Sequence, residues 1–248
     1  MTKEYFVPKA ILITGGGRRL GAAIAKGLAK NNCAIALHYN QSEEAVESLA
    51  EHLRDKGCET VCIQADLSDV AQVERLFATA HETLGPFDVL VNNASIFDLC
   101  GFADTTKEAI QDNMDLHVIA PLVLSRAFAA QNNGGVIINM LDARMVDYDK
   151  NHLPYHLSKR ILADLTRIMA VEFAPAIRVN AIAPGLIMPP YGEDQAYLES
   201  LAHTTLLNTH GTAWDIAQAA LYLVHAAFVT GQTIFVDGGR NLRGRMYE

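Results

Sequence analysis

The sequence predicts an α/β fold, a doubly wound parallel sheet of about seven strands with helices on both faces. Three observations carry this. Short apolar runs alternate with longer amphipathic ones along the chain, the runs are apolar at successive positions as strands buried on both faces must be, and a glycine-rich turn directly follows the first run.

Taken in order, the strands are AILIT at 10–14, AIALHY at 34–39, TVCIQA at 60–65, FDVLVN at 87–92, GVIINML at 135–141, IRVNAIA at 177–183 and TIFVD at 233–237. Between the first four lie the helical stretches LGAAIAKGLAK, SEEAVESLAEHLRDKG and VAQVERLFATAHETLG, the last two closing near a glycine, as helix C-termini often do. The rhythm breaks from Pro184 to about Gly211, where paired prolines and mixed polarity describe a long excursion of the lid or binding-loop kind. No repeat or linker divides the chain, so residues 1–248 are expected to form one domain, with a substrate loop at about 184–211.

Half of the 248 residues are hydrophobic, enough for a substantial core, and 20 basic against 28 acidic residues give a net charge of −8. That charge disfavours nucleic acid and anionic membranes as partners. The charged start, broken by Pro8, is unlike a secretory signal, and no run of about 18 apolar residues suggests a membrane span, so a cytoplasmic protein is expected. Cys33, Cys58, Cys62 and Cys100 form no C-x-x-C pair and are expected to be thiols; a metal site from Cys58, Cys62 and His52 is the less favoured reading.

The turn TGGGRRLG joins the first strand to the first helix, where a helix N-terminus offers N–H groups and a positive dipole to a pyrophosphate. Gly15 supplies the tight turn, and Gly21 lets helix and nucleotide approach. The second strand ends HYNQS with no acid to bind a ribose 2′-hydroxyl, which leaves His38, Asn40 and Ser42 to donate to a 2′-phosphate, with Arg18 or Arg19 adding positive charge. NADPH is therefore the expected cofactor. Ser42 can equally be an N-cap of the second helix.

Tyr155 and Lys159 stand four apart, on one helix face. A lysine ammonium beside the phenol is expected to lower the tyrosine pKa from about 10 and make Tyr155 an acid or base. The set TGGGRRLG, QADLS with Asp66, NNAS, YHLSK, APG and VDGG, in this order over essentially the whole chain, resembles the short-chain dehydrogenases/reductases. The resemblance implies a Rossmann-like sheet, Tyr155 as catalytic acid, and Lys159 on the nicotinamide ribose. Asp66 and Leu67 would flank the adenine. Asn93, Ala94 and Ser95 would line the cofactor groove, with Leu20 in the phosphate turn and Pro184, Gly185 and Leu186 beyond the sixth strand.

Two positions depart from the general family pattern. Arg19 replaces a loop glycine, and Asp142 stands where ketone reductases carry a serine that donates to the substrate carbonyl. An ionised carboxylate cannot make that bond and would repel a developing alkoxide. Both changes, with Phe97 after NNAS, resemble the pteridine reductase branch, and DGGRNLRG with HYNQS points to its bacterial members acting on dihydromonapterin or dihydrofolate.

By that resemblance Phe97 stacks on a pterin, Arg19 holds a pterin oxygen or a cofactor phosphate, and Asp142 and Tyr155, with Lys159 tuning Tyr155, form the catalytic set, with no metal. Ser95, Gly185 and Met188 would border the substrate, and Tyr191 or Tyr197 would cover it. His117 replaces a family asparagine that holds a water near the lysine; a satisfied core histidine is the favoured reading of it, and a relay role the other. Family members are commonly tetramers, so a homotetramer is expected, with the basic tail RNLRGRMYE solvated or at an interface. Another carbonyl substrate, and an inactive nucleotide-binding regulator, remain the alternatives.

Overall fold

In a computed structural model, residues 8–30, 32–147 and 150–243 are described. Positions 244–248, most of the basic tail, lie outside them. The strands are β1 (Ala10–Ile13), β2 (Ala34–Tyr39), β3 (Glu59–Gln64), β4 (Val89–Asn92), β5 (Gly135–Met140), β6 (Ile177–Pro184) and β7 (Thr233–Val236). They make one 7-stranded sheet in the order β3-β2-β1-β4-β5-β6-β7. Every pairing is parallel, from β1 with β2 through β6 with β7. Each expected strand is present to within about two residues, the usual scatter of element ends.

The helices are α1 (Arg19–Leu28), α2 (Glu43–Asp55), α3 (Val70–Leu84), α4 (Lys107–Met114), α5 (Ala120–Ala130), α6 (Leu153–Glu172), α7 (Gln195–Leu201) and α8 (Ala213–His225). On one face Ile24 and Leu28 of α1, Val46 and Leu53 of α2, and Ile216 and Leu223 of α8 pack on the alternate strand residues Ile11, Ile13, Ile35 and Leu37. On the other, Val73 and Leu76 of α3, Leu124 and Phe128 of α5, and Met169 of α6 cover Leu12, Ala36, Leu90 and Ile137. Successive strand residues are thus buried on opposite faces, which is why the strands read as continuous apolar runs. No helix among the described residues is long and apolar enough to cross a membrane.

The strand order places β1 beside both β2 and β4, with connections leaving to opposite faces of the sheet. Such a reversal opens a crevice beyond the carboxyl ends of the strands, where ligands of open α/β sheets bind. The turn after β1, the segment after β4 and the turn after β5 all end there.

Candidate active site

The glycine turn after β1 is tied to its neighbours rather than left as a free loop. Thr14 Oγ1 accepts from the N–H groups of Asn93 (2.9 Å) and Ala94 (3.1 Å), and Asn93 Nδ2 donates to the carbonyls of Thr14 (2.9 Å) and Gly15 (3.0 Å). Gly15 adopts φ +59°. A Cβ on Gly21 would lie 2.1 Å from the Gly15 carbonyl oxygen, so glycine is required where α1 meets the turn. Leu20 packs against the adjoining core.

His38 corrects an expectation. Its ring is buried, Nδ1 accepts from the Gly15 N–H at 3.0 Å, and Nε2 lies 3.0 Å from the Ala65 carbonyl. An acceptor Nδ1 leaves the proton on Nε2, which donates to that carbonyl. Both nitrogens are used inside the protein, so His38 offers no donor to a 2′-phosphate; it props the glycine turn instead. Burial lowers its pKa.

Asn40 is exposed, and Ser42 precedes α2 without making a side-chain capping bond, so its hydroxyl is not committed to the helix. Asp66 is fixed by accepting from the N–H and Oγ of Ser68 at 2.9 and 2.8 Å, above a buried Leu67.

Arg19 occupies its glycine-like position at φ +50°, a conformation that costs an L-residue about 1 kcal/mol. Its Nη2 donates to the Pro189 carbonyl at 2.7 Å, and its guanidinium lies 5.0 Å from the Tyr191 ring centre, with Arg18 at 5.7 Å. The excursion after β6 is thereby held to the glycine turn by cation–π and charge-assisted contacts.

Asp142 follows β5 and performs two tasks. Oδ1 accepts from the Arg144 N–H at 2.7 Å, capping the turn Ala143–Val146, and Oδ2 accepts from the Tyr155 hydroxyl at 3.0 Å. Tyr155 and Lys159 share the buried face of α6, and Lys159 Nζ donates to the Met140 carbonyl at 2.8 Å while lying 5.5 Å from the Tyr155 ring centre. The expected lowering of the tyrosine pKa is reversed. Burial first, then the Asp142 charge and its hydrogen bond, push the phenol well above 10.0, because each penalises a phenolate. Lys159 is itself lowered to about 8 by burial.

Phe97 is 46% exposed; its ring stacks on His152 at 3.9 Å and meets Tyr155 edge-on at 4.7 Å. The contact with His152 escaped the sequence reading, because no spacing rule pairs positions so far apart. It is set by a backbone clamp in which Cys100 N–H donates to the Asn151 carbonyl (2.7 Å) and Leu153 N–H to the Cys100 carbonyl (3.0 Å).

His117 sits in a π-helical turn, Asp115–Ile119, with 1% of its surface exposed. Its Nε2 accepts from the Ile96 N–H (3.3 Å) and lies 3.0 Å from Ser95 Oγ, while Nδ1 is 2.8 Å from Ser158 Oγ. With both nitrogens engaged and its pKa pushed well below 6.5 by burial and the Lys159 charge, it is a neutral core histidine that organises the segment after β4. The water-relay role loses its support.

Beyond β6, Gly185 is pressed against Asp237, where a Cβ would come within 2.4 Å of the Asp237 Cβ. Leu186 is buried, and the half-buried Met188 packs against the edge of the core. No group of three or more His, Cys, Asp or Glu side chains suited to a metal occurs among the described residues. Cys58 instead lies 3.1 Å, sulfur to sulfur, from Cys33.

A family model described as Enoyl-(Acyl carrier protein) reductase matches residues 17–241. Dihydromonapterin reductase of Klebsiella pneumoniae is 31% identical over 241 residues, covering 95% of this chain and 98% of that protein. A protein named as a ketoacyl reductase of granaticin polyketide synthase, from Streptomyces violaceoruber, is 33% identical over 241 residues, covering 93% and 95%. Among solved structures, FolM alternative dihydrofolate reductase 1 from Brucella canis, complexed with NADP, superposes with a TM-score of 0.87 at 31% identity and covers 95% of each chain.

Proposed function

The chain belongs to the short-chain dehydrogenase/reductase family of oxidoreductases, and we propose that within it the protein is an NADPH-dependent reductase of a dihydropterin, such as dihydromonapterin, dihydrobiopterin or dihydrofolate. The observation that carries the reading is the Tyr155 hydroxyl donating to the Asp142 carboxylate at 3.0 Å. An acceptor-only group at this position suits a ring bearing N–H donors and a nitrogen to be protonated, and does not suit a ketone oxygen that becomes an alkoxide.

Several residues fit the cofactor. The Gly15 turn, close-packed at Gly21, leaves backbone room for a pyrophosphate, with Leu20 in that turn. Asn40, Ser42 and Arg18 would take the 2′-phosphate, now without His38. Asp66 and Leu67 would flank the adenine, Asn93, Ala94 and Ser95 the groove, Lys159 the ribose, and the Pro184–Gly185–Leu186 backbone the nicotinamide. When bound, NADPH supplies a hydride to the ring. The NADP in the similar FolM structure supports this choice.

Tyr155, held protonated by its surroundings, is the donor for the ring nitrogen. A phenolate left beside the Asp142 carboxylate would be strongly disfavoured, so the proton must be replaced as it leaves. Asp142, less buried than Tyr155, takes up a proton from solvent and, as the phenol turns its own proton to the ring nitrogen, donates it to the phenolate oxygen, so the hydrogen bond between the two reverses direction during the step. Phe97 stacks on the pterin, and Arg19 borders it together with Gly185 and Met188 of the loop after β6.

The exposed apolar residues Leu157, Ile161, Ile168 and Val171 form a stripe along α6, which supports assembly with further copies, a homotetramer in our reading. The four free cysteines fit a cytoplasmic setting.

NADPH oxidation with dihydromonapterin, dihydrobiopterin, dihydrofolate and a β-ketoacyl thioester tests the assignment. Turnover of the dihydropterins with an inert thioester is the expected result. The identity to a ketoacyl reductase favours a carbonyl substrate as the second reading, and activity on the thioester alone would replace the first with it. Binding of NADPH without any turnover would favour a regulatory role.

A further inference from the structure

Asp237, at the end of β7, uses both carboxylate oxygens on its own turn: Oδ1 accepts from the Gly239 N–H (2.9 Å) and Oδ2 from the Asn241 N–H (2.6 Å). This shapes the helical turn Arg240–Leu242, which packs against the turn Ala143–Val146 that follows Asp142. On its other side the same segment is fastened to the substrate loop, where the Leu206 N–H donates to the Gly238 carbonyl at 2.9 Å and Arg243 donates to the His203 carbonyl. Arg240 therefore stands between the loop and the Asp142 turn.

Its side chain is partly buried, and its guanidinium makes no hydrogen bond or ion pair among the described residues. The neighbouring carboxylates are oriented elsewhere: the oxygens of Asp142 accept from Arg144 N–H and Tyr155 O–H, and those of Asp237 from their own turn. Burial first, then the like charge of Arg144, disfavour the Arg240 guanidinium, while Asp142, Tyr197 and Asp237 favour it from a distance without a hydrogen bond. Withdrawing a guanidinium from water beside a like charge and without a partner is unfavourable. A ligand carrying a planar anion would turn that cost into a bidentate, charge-assisted contact.

We propose that Arg240, with Arg144 beside it, is a specificity-determining residue that binds a carboxylate on the substrate, making one end of the cleft select carboxylate-bearing substrates over neutral ones. This rests on the dihydropterin reading and refines it, because dihydrofolate carries glutamate carboxylates and dihydromonapterin has a neutral side chain. Asp142 and Tyr155 act on the ring in both; Arg240 acts only on the tail.

Steady-state kinetics of Arg240→Gln with both substrates is the test, with Arg75→Gln, an exposed arginine on α3, as the charge control and thermal melting as the check on folding. Arg240→Gln should raise KM for dihydrofolate about ten-fold or more while kcat and the dihydromonapterin KM stay within about two-fold, and Arg240→Lys should recover part of the loss. An unchanged dihydrofolate KM, or an equal change for both substrates, would overturn the proposal. If the wild-type protein reduces no dihydropterin, the functional reading itself has failed, and the same comparison is made with a β-keto acid and its methyl ester. A preference for the acid that disappears in Arg240→Gln supports the anion site, and no preference in the wild type removes it.

Discussion

Replacing Asp142 by Asn tests the pair at the centre of the site. Asparagine keeps an oxygen for the Arg144 N–H, so the turn at 143–146 stays capped, and the change removes the charge next to Tyr155 without opening a cavity. With the two oxygens 3.0 Å apart, a phenolate and a carboxylate would repel by about 5 kcal/mol at an effective dielectric of about 20. Solvent at the partly exposed Asp142 screens this to about half, which still leaves about 2 to 3 kcal/mol against the phenolate. Ultraviolet difference titration against a Tyr155→Phe blank should therefore find the Tyr155 phenol titrating at lower pH in Asp142→Asn than in the wild type. Dihydropterin turnover should fall about 100-fold or more because the relay to solvent is cut, even though the phenol has become intrinsically more acidic. Asp142→Ser should lose turnover similarly. The reasoning fails if the Asn variant keeps turnover within about three-fold of wild type, or if its phenol titration does not move.

Lys159 titrates at about 8 in the folded protein against 10.5 ordinarily, so kcat/KM for the cofactor should fall as pH rises through about 8 and the ammonium is lost; a flat profile from pH 6 to 10 would contradict the ribose role. Stability should run the other way, since the unfolded chain holds that proton more tightly. The penalty of about 3 kcal/mol is full below pH 8 and is relieved between about 8 and 10.5, a rise that denaturation of Lys159→Met should lack. Arg19→Gly relaxes the φ +50° backbone and should cost little or no stability, yet it removes the Pro189 and Tyr191 contacts; limited proteolysis within 189–193 should quicken and substrate KM should rise, and unchanged values for both would reject the fastening role. Charges placed on the α6 stripe, Ile161→Lys with Ile168→Asp, should convert the assembly to monomers in analytical ultracentrifugation, whereas a wild-type monomer would reject the oligomer.

The strands and their parallel arrangement were legible in the sequence because burial on both sheet faces writes continuous apolar runs, and their spacing leaves room for a helix between neighbours. Gly15 and Gly21 were legible for a related reason: a turn at φ +59° and a contact that leaves no room for a Cβ restrict the residue type locally. The Tyr155–Lys159 face followed from helical periodicity, and Asp142 drew notice as a charge where a hydroxyl was expected. What tertiary structure decided was the state and direction of these side chains. His38 turns under the glycine turn, His117 spends both nitrogens on its neighbours, and Phe97 meets His152 through a clamp between segments some fifty residues apart. The tyrosine shows the limit most clearly. Residue spacing places a lysine near it and suggests a lowered pKa, but the depth of burial and the carboxylate at 3.0 Å raise it instead. Desolvation and charge pairing depend on distances in three dimensions, and these a one-dimensional pattern does not contain.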